Sequence, residues 1–220
     1  MKRQEDQWMD DSLHSYLLTT IKDKSDDILT IEQYAKENHV PIMEPISMEF
    51  LVQLVRITKP KKILEIGAAI GYSAIRMGLA TDDSKIVTIE RDEERIQEAL
   101  KNIKAFDLHH RINLIEGDAL ERTDDLLKKG PYDMLFIDAA KGQYEKFFSI
   151  YSPSIVSGGI IVTDNVLFKG YVADLDKSEN KRLQKLATKI RHYNEWLIQQ
   201  PNMKTTILPI GDGIAITVKQ

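Results

Sequence analysis

From Lys61 onward the chain alternates between two textures. The short apolar run "KKILEIG" gives way to "YSAIRMGLA", and "KIVTIE" gives way to "DEERIQEALKNIKAF". "RINLIEGDA", "YDMLFIDA" and "GGIIVTDN" are further short apolar runs. Runs this brief, bounded by Gly, Asp and Asn, read as strands, and the longer segments carry apolar residues at helical spacing. Strands alternating with helices lie parallel in a sheet covered on both faces, so the fold class is α/β. After one long helix over "SENKRLQKLATKIRHYNEWLIQQ", the tail "MKTTILPIGDGIAITVKQ" departs from the pattern. It reads as two strands around Asp212-Gly213, a favourable hairpin turn, giving the sheet an antiparallel ending. Ahead of Lys61, "SLHSYLLTTI", "TIEQYAKENH" and "PIMEPISMEFLVQLVRIT" read as helices, with Pro41 and Pro45 breaking the chain before the third.

The 220 residues suit one α/β domain with a buried core. Residues 1–58 are expected to form a helical extension of that domain, covering the substrate or making a dimer contact. Residues 59–220 are its core. With no cysteine, disulfides, thiolate catalysis and cysteine-held zinc are excluded. No apolar run reaches the ~20 residues of a membrane span. The opening "MKRQEDQWMDD" is too acidic for a signal peptide, so a cytoplasmic location is expected. The net charge of −4 argues against a nucleic-acid binder. Three local clusters run the other way: "KPKK", "HHR" and "KRLQKLATKIRH" each form either a basic patch or a solvated face.

In parallel sheets, ligands bind beyond the C-terminal ends of the strands. Glu65, Glu90, Asp118, Asp138 and the Asp164-Asn165 pair all fall at or just past such ends. The first turn, "LEIGAAIGYSA", spaces Gly67 and Gly71 as G-x-x-x-G. Neither the dinucleotide G-x-G-x-x-G nor the P-loop pattern is met, so a nucleoside ligand without pyrophosphate suits it. Glu90, about twenty residues on, is placed either to accept both ribose hydroxyl protons, the reading its strand position and spacing favour, or to serve as a helix N-cap partner for "DEER". Asp118 in "EGDAL" is placed either to read an adenine amino group or to cap a helix.

Adjacent strands sit about 5 Å apart. Asp138 at one strand end and Asp164-Asn165 at the next can therefore converge. Two carboxylates and an amide, without His or Cys, suit a hard divalent cation such as Mg²⁺ or Mn²⁺. Lys141 follows Asp138 by three residues. It is either a general base, its pKa lowered by burial and a nearby cation, or a solvated surface lysine.

These stretches carry a resemblance over nearly the whole chain. "VPIM", "LEIGAAIGYSAIRM", "TIERDEER", "GDAL", "FIDAAKGQY", "TDNVLFKG" and "GDGIAI" are similar to the metal- and S-adenosylmethionine-dependent O-methyltransferases of the catechol and caffeoyl-CoA type. The resemblance implies a single Rossmann-like methyltransferase domain with a seven-stranded sheet. It implies that Asp138, Asp164 and Asn165 hold Mg²⁺ or a similar ion and that Lys141 is the base. Met43, Glu65, Gly67, Ser73, Glu90, Asp118, Ala119 and Asp138 would belong to the cofactor pocket. Within the family, "FIDAAKGQY" and "TDNVLFKG" are most similar to bacterial tRNA 5-hydroxyuridine methyltransferases. That branch implies wobble-position tRNA as substrate and a homodimer as the working form. A small catechol-like substrate is the alternative expectation, and a nucleotide-binding module without catalysis is the further one.

Overall fold

The computed structural model describes residues 11–21, 24–177 and 179–220; the acidic opening residues 1–10 lie outside the described part. Seven strands form one sheet: β1 (Lys62–Ile66), β2 (Lys85–Glu90), β3 (Ile112–Glu116), β4 (Tyr132–Ile137), β5 (Ile155–Thr163), β6 (Met203–Leu208) and β7 (Ile214–Lys219). Their order across the sheet is β3-β2-β1-β4-β5-β7-β6. The first five are parallel, while β7 runs antiparallel to both β5 and β6. This is the expected seven-stranded α/β architecture with an antiparallel ending.

Strand residues alternate between the two faces, and the cores show it. Ile63, Met134, Phe136, Ile160 and Val162 pack with helices α2 (Asp26–Glu37), α3 (Pro45–Thr58) and α4 (Tyr72–Leu79). Leu64, Ile66, Leu135, Ile137 and Ile161 pack on the other face with α7 (Tyr144–Tyr151) and α8 (Lys181–Leu197). α1 (Asp11–Thr20), α5 (Glu93–Ala105) and the short α6 (Thr123–Leu127) complete the set. α2 and α3 thus share one apolar core with the sheet. A polar chain also ties them to it. Glu32 accepts hydrogen bonds from Lys24 and from the Tyr72 hydroxyl, and Arg76 reaches both Tyr72 and Glu49.

Local signals place the helix starts. Pro45 stands at the first turn of α3, where its missing N–H costs nothing. Asp92 caps α5 by accepting from Arg95 N–H, and Asn180 caps α8 by accepting from Arg182 and Leu183 N–H. The C-terminal hairpin differs from expectation. Its connection spans residues 209–213 instead of a two-residue turn at Asp212-Gly213. Part of the reason is docking, because Val166, Leu167 and Phe168 N–H all donate to the Asp212 and Gly213 carbonyls.

No described helix is long and apolar enough to cross a membrane.

Candidate active site

The sheet order reverses between β1 and β4, and this is where a cavity of about 510 Å³ opens. Chain leaving β1 turns one way and chain leaving β4 the other, so a crevice forms between them. Backbone bonds carry the ladder past the strand ends: Asp138 N–H donates to Ile66, and Asp164 N–H to Ile137, at 3.0 and 3.1 Å. Those bonds fix the chain just where the acids emerge.

Gly67 forms the floor. Its φ is +100°, and a Cβ there would stand 2.1 Å from the Asp138 carbonyl oxygen. Only glycine meets both demands. Met43, Ser73, Glu90, Asp118, Ala119, Asp138, Lys141 and Asn165 also line the cavity. Glu90 is heavily engaged. One carboxylate oxygen accepts Ala69 N–H at 2.8 Å, and the other accepts Arg91 and Asp92 N–H at 2.9 and 3.0 Å. A carboxylate offers about four lone-pair sites, so acceptor capacity remains toward the cavity. Asp118 accepts Leu120 N–H and pairs with Arg91 at 3.0 Å.

Two expected residues sit elsewhere. Glu65 is fully buried and absent from the cavity wall, where its Oε atoms accept hydrogen bonds from Ser73 and Thr88 hydroxyls. Burial lifts its carboxyl to about 7, against those two bonds. The residue therefore sets the position of Ser73 from behind. Asp164, 3% exposed, likewise stands behind Asn165.

The three oxygen donors do converge. Asn165 Nδ2 lies 2.8 Å from Asp164 Oδ2 and 3.5 Å from Asp138 Oδ1. Asn165 has a φ of +61°, a left-handed conformation that Asn tolerates better than most side chains. Tyr144 fixes the far side by donating its buried hydroxyl to the Asp164 carbonyl at 2.9 Å. Burial pushes both carboxyls well above the usual range, and for Asp164 the neighbouring Asp138 charge adds to it. The Lys141 charge acts on both carboxylates and pulls their pKa values down. Two carboxylates, one buried and one half-buried, and an amide oxygen, with Lys141 as the nearby positive charge, fit a hard divalent cation.

Lys141 begins a single 3₁₀ turn, Lys141–Gln143, at the cavity mouth. Its Nζ stands 5.9 Å from the centre of the Phe168 ring. Burial lowers its pKa, while Asp138, Asp164 and Asp212 pull in the opposite direction. Phe168 and Lys169 both adopt positive φ, 46° and 54°. That strained turn holds the ring beside Lys141, and its backbone is tied to Asp212 by Phe168 N–H.

A family model described as O-methyltransferase matches residues 22–220. The chain belongs to the O-methyltransferase family. Among curated members, it is 33% identical to a caffeoyl-CoA O-methyltransferase of Stellaria longipes, over 93% of this chain and 88% of that one. It is 31% identical to a flavonoid 3',5'-methyltransferase of Vitis vinifera, over 81% of this chain and 77% of that one. Among solved members, a Staphylococcus aureus protein provisionally assigned as a caffeoyl-CoA O-methyltransferase is 39% identical, with a TM-score of 0.90, over 96% of this chain and all of that one. A Bacillus cereus O-methyltransferase solved with SAH is 27% identical, with a TM-score of 0.82, covering 97% and 98%.

Several cavity residues of this O-methyltransferase had no role in the sequence reading. Tyr72, Arg91 and Phe147 line the wall. Tyr144 stands in the quoted "FIDAAKGQY", yet nothing there assigned its hydroxyl. Its signal was available, because Tyr144, Phe147, Phe148 and Tyr151 recur at helical spacing and are all buried.

Proposed function

We propose that this O-methyltransferase moves a methyl group from S-adenosylmethionine to the 5-hydroxyl of 5-hydroxyuridine at the wobble position of tRNA. Family membership and the SAH found in the Bacillus cereus relative support the donor. The observation that carries the acceptor chemistry is the oxygen trio beside Lys141. Residues Asp138, Asp164 and Asn165 would hold a divalent cation, which supplies acidification of a hydroxyl and a seat for two neighbouring oxygens. The C5 hydroxyl and C4 carbonyl of 5-hydroxyuridine are such neighbours. Lys141 takes the hydroxyl proton, and the resulting oxygen attacks the methyl carbon, forming the O–C bond as the C–S bond breaks and S-adenosylhomocysteine leaves as the neutral thioether. Gly67, Glu90 and Asp118 hold the donor's nucleoside so that its methyl faces that oxygen; alignment of this kind is worth several kcal/mol.

The rim favours a polyanionic acceptor. Lys189 Nζ comes within 3.8 Å of the place a Gly142 Cβ would occupy, next to Lys141, and the Lys169 charge acts on Lys141. A second reading, methylation of small catechol-like molecules, is favoured by what the Stellaria and Vitis relatives are named for. One assay separates them. Labelled donor is offered with hydroxylated tRNA, with a small catechol and with caffeoyl-CoA, each with and without chelator. Label entering tRNA far faster than either small acceptor is expected; turnover of the small acceptors alone overturns the RNA reading.

The donor pocket makes its own prediction. In Glu90→Gln the amide NH₂ donates and cannot accept a hydroxyl hydrogen bond, so a charge-assisted bond worth about 1.5–3 kcal/mol is lost. Calorimetric titration with SAH should show affinity weakened by roughly 10- to 100-fold. Affinity unchanged within about twofold rules out a ribose contact at this carboxylate.

A further inference from the structure

The three basic clusters of the sequence meet different fates. In "KPKK", Lys61 pairs with Asp83, and the Lys62 ammonium lies over the Tyr132 ring. In "HHR", Arg111 donates to the Thr81 and Gly78 carbonyls and His109 stands beside Asp107. Both clusters are engaged within the protein. The third is not. α8 carries Lys181, Arg182, Lys185, Lys189 and Arg191 with no acid before Glu195. Lys181, Arg182, Lys185 and Lys189 are exposed, and no described carboxylate comes within ion-pair distance of any of them.

Helical spacing turns part of this cluster into a line. Arg182, Lys185 and Lys189 follow one another at intervals of three and four, which places them on one face. The neighbouring side of the helix, with Ala187, Ile190, Tyr193 and Leu197, is buried against the protein. The stripe therefore cannot rotate away from solvent. It covers about 10 Å along the helix. Its C-terminal member, Lys189, stands over Gly142 at the mouth of the cavity. A chain carrying −4 overall thus presents a concentrated, unpaired run of positive charge, and that run ends at Gly142, next to Lys141.

We propose that the Arg182, Lys185 and Lys189 face of α8 docks the phosphate backbone of the RNA whose base enters the cavity. The inference rests on the tRNA reading above and adds where the polymer lies. Charge complementarity selects the occupant: a linear array of fixed cations matches the regular negative charge of a nucleic-acid strand. A free catechol has no charge to meet it.

The test compares the whole protein with the triple variant R182Q/K185Q/K189Q and with K128Q/K129Q, which removes two exposed lysines near the β3 edge at the far side of the sheet. Binding of an unmodified tRNA transcript is followed against salt, and methyl transfer is followed on hydroxylated tRNA. Each lost phosphate contact lowers the slope of log affinity against log salt by about 1. The triple variant should lose a slope of roughly 2–3 and bind tRNA about tenfold or more weakly. K128Q/K129Q should bind as the unaltered protein does. SAH affinity should be unchanged in both, which excludes a folding defect. If the unaltered protein methylates tRNA and the triple variant keeps its affinity and salt slope, the docking face is overturned and the RNA reading stands. If the unaltered protein neither binds nor methylates tRNA, the RNA reading falls and the docking face with it. If the triple variant weakens only caffeoyl-CoA turnover, the stripe reads the phosphates of a coenzyme A thioester, and the proposal is wrong about its partner.

Discussion

Lys141→Ala should lower kcat for methyl transfer by about 10²- to 10⁴-fold, the usual contribution of a positioned general base. SAH affinity should stay within about twofold, since a lysine acting only on the acceptor proton contributes little to donor binding. The expectation follows from where the side chain sits. A solvated lysine would show an ordinary pKa and no fixed neighbour. Here burial drives the pKa down and the Phe168 ring stands beside Nζ. A base must be neutral to accept a proton. The unaltered enzyme should therefore gain kcat as pH rises toward the lowered Lys141 pKa and level off above it. In Lys141→Ala that limb should disappear, leaving a rate governed by the acceptor hydroxyl alone. Lys141→Arg is the sharper control, since arginine keeps the charge and is never deprotonated in this range. A variant with arginine that retains full kcat would assign Lys141 to charge stabilisation and remove the base from the mechanism.

How much of this site was legible beforehand depends on the kind of information each residue needed. The strand-end rule placed Asp138, Asp164 and Asn165 together, because β4 and β5 are neighbours and the acids follow each strand at once. It also brought Glu90 and Asp118 to the same edge. The rule says which end of the sheet a residue occupies, not which way it faces. Glu65 shows the difference. It alternates with Leu64 and Ile66, so it points with Ile63 toward the α4 layer and meets Ser73 in place of the cavity. The hairpin loop was misjudged for a related reason. Asp212-Gly213 is a good local turn, but its carbonyls are taken by Val166, Leu167 and Phe168, and a Cβ on Gly213 would stand 2.3 Å from Leu167. Tertiary docking, not local turn chemistry, sets that connection. Glu32, Tyr72, Arg76 and Glu49 form a chain across three helices that no single-segment pattern reveals.

The proposed cation site makes the second large prediction, and its sign differs between the loaded and the empty protein. A carboxyl whose folded pKa lies above its unfolded value binds protons more tightly when folded, so it destabilises the protein as pH rises from the ordinary value near 3.8 toward the raised one. Asp138 and Asp164 both behave this way. This pair should therefore make the metal-free protein less stable at pH 8 than at pH 5. Asp164→Asn removes one of the two charges while keeping the shape, so the metal-free variant should lose part of that pH dependence and melt higher than the unaltered protein at pH 8. Added Mg²⁺ should reverse the ranking. At ten times its Kd, a ligand of the folded state contributes about 1.4 kcal/mol, or about 3–6 °C for a chain of this size. The unaltered protein should show that rise and Asp164→Asn should not. Methyl transfer should fall to near background both in the variant and in the unaltered protein under chelation, because the acceptor oxygen then loses the charge that favours its deprotonated form. Melting temperatures measured with and without Mg²⁺ need no substrate and no turnover, so they report on the ligands alone. An unaltered protein whose melting ignores Mg²⁺, or full methyl transfer after thorough chelation, would show that these three side chains serve the fold and not a cation.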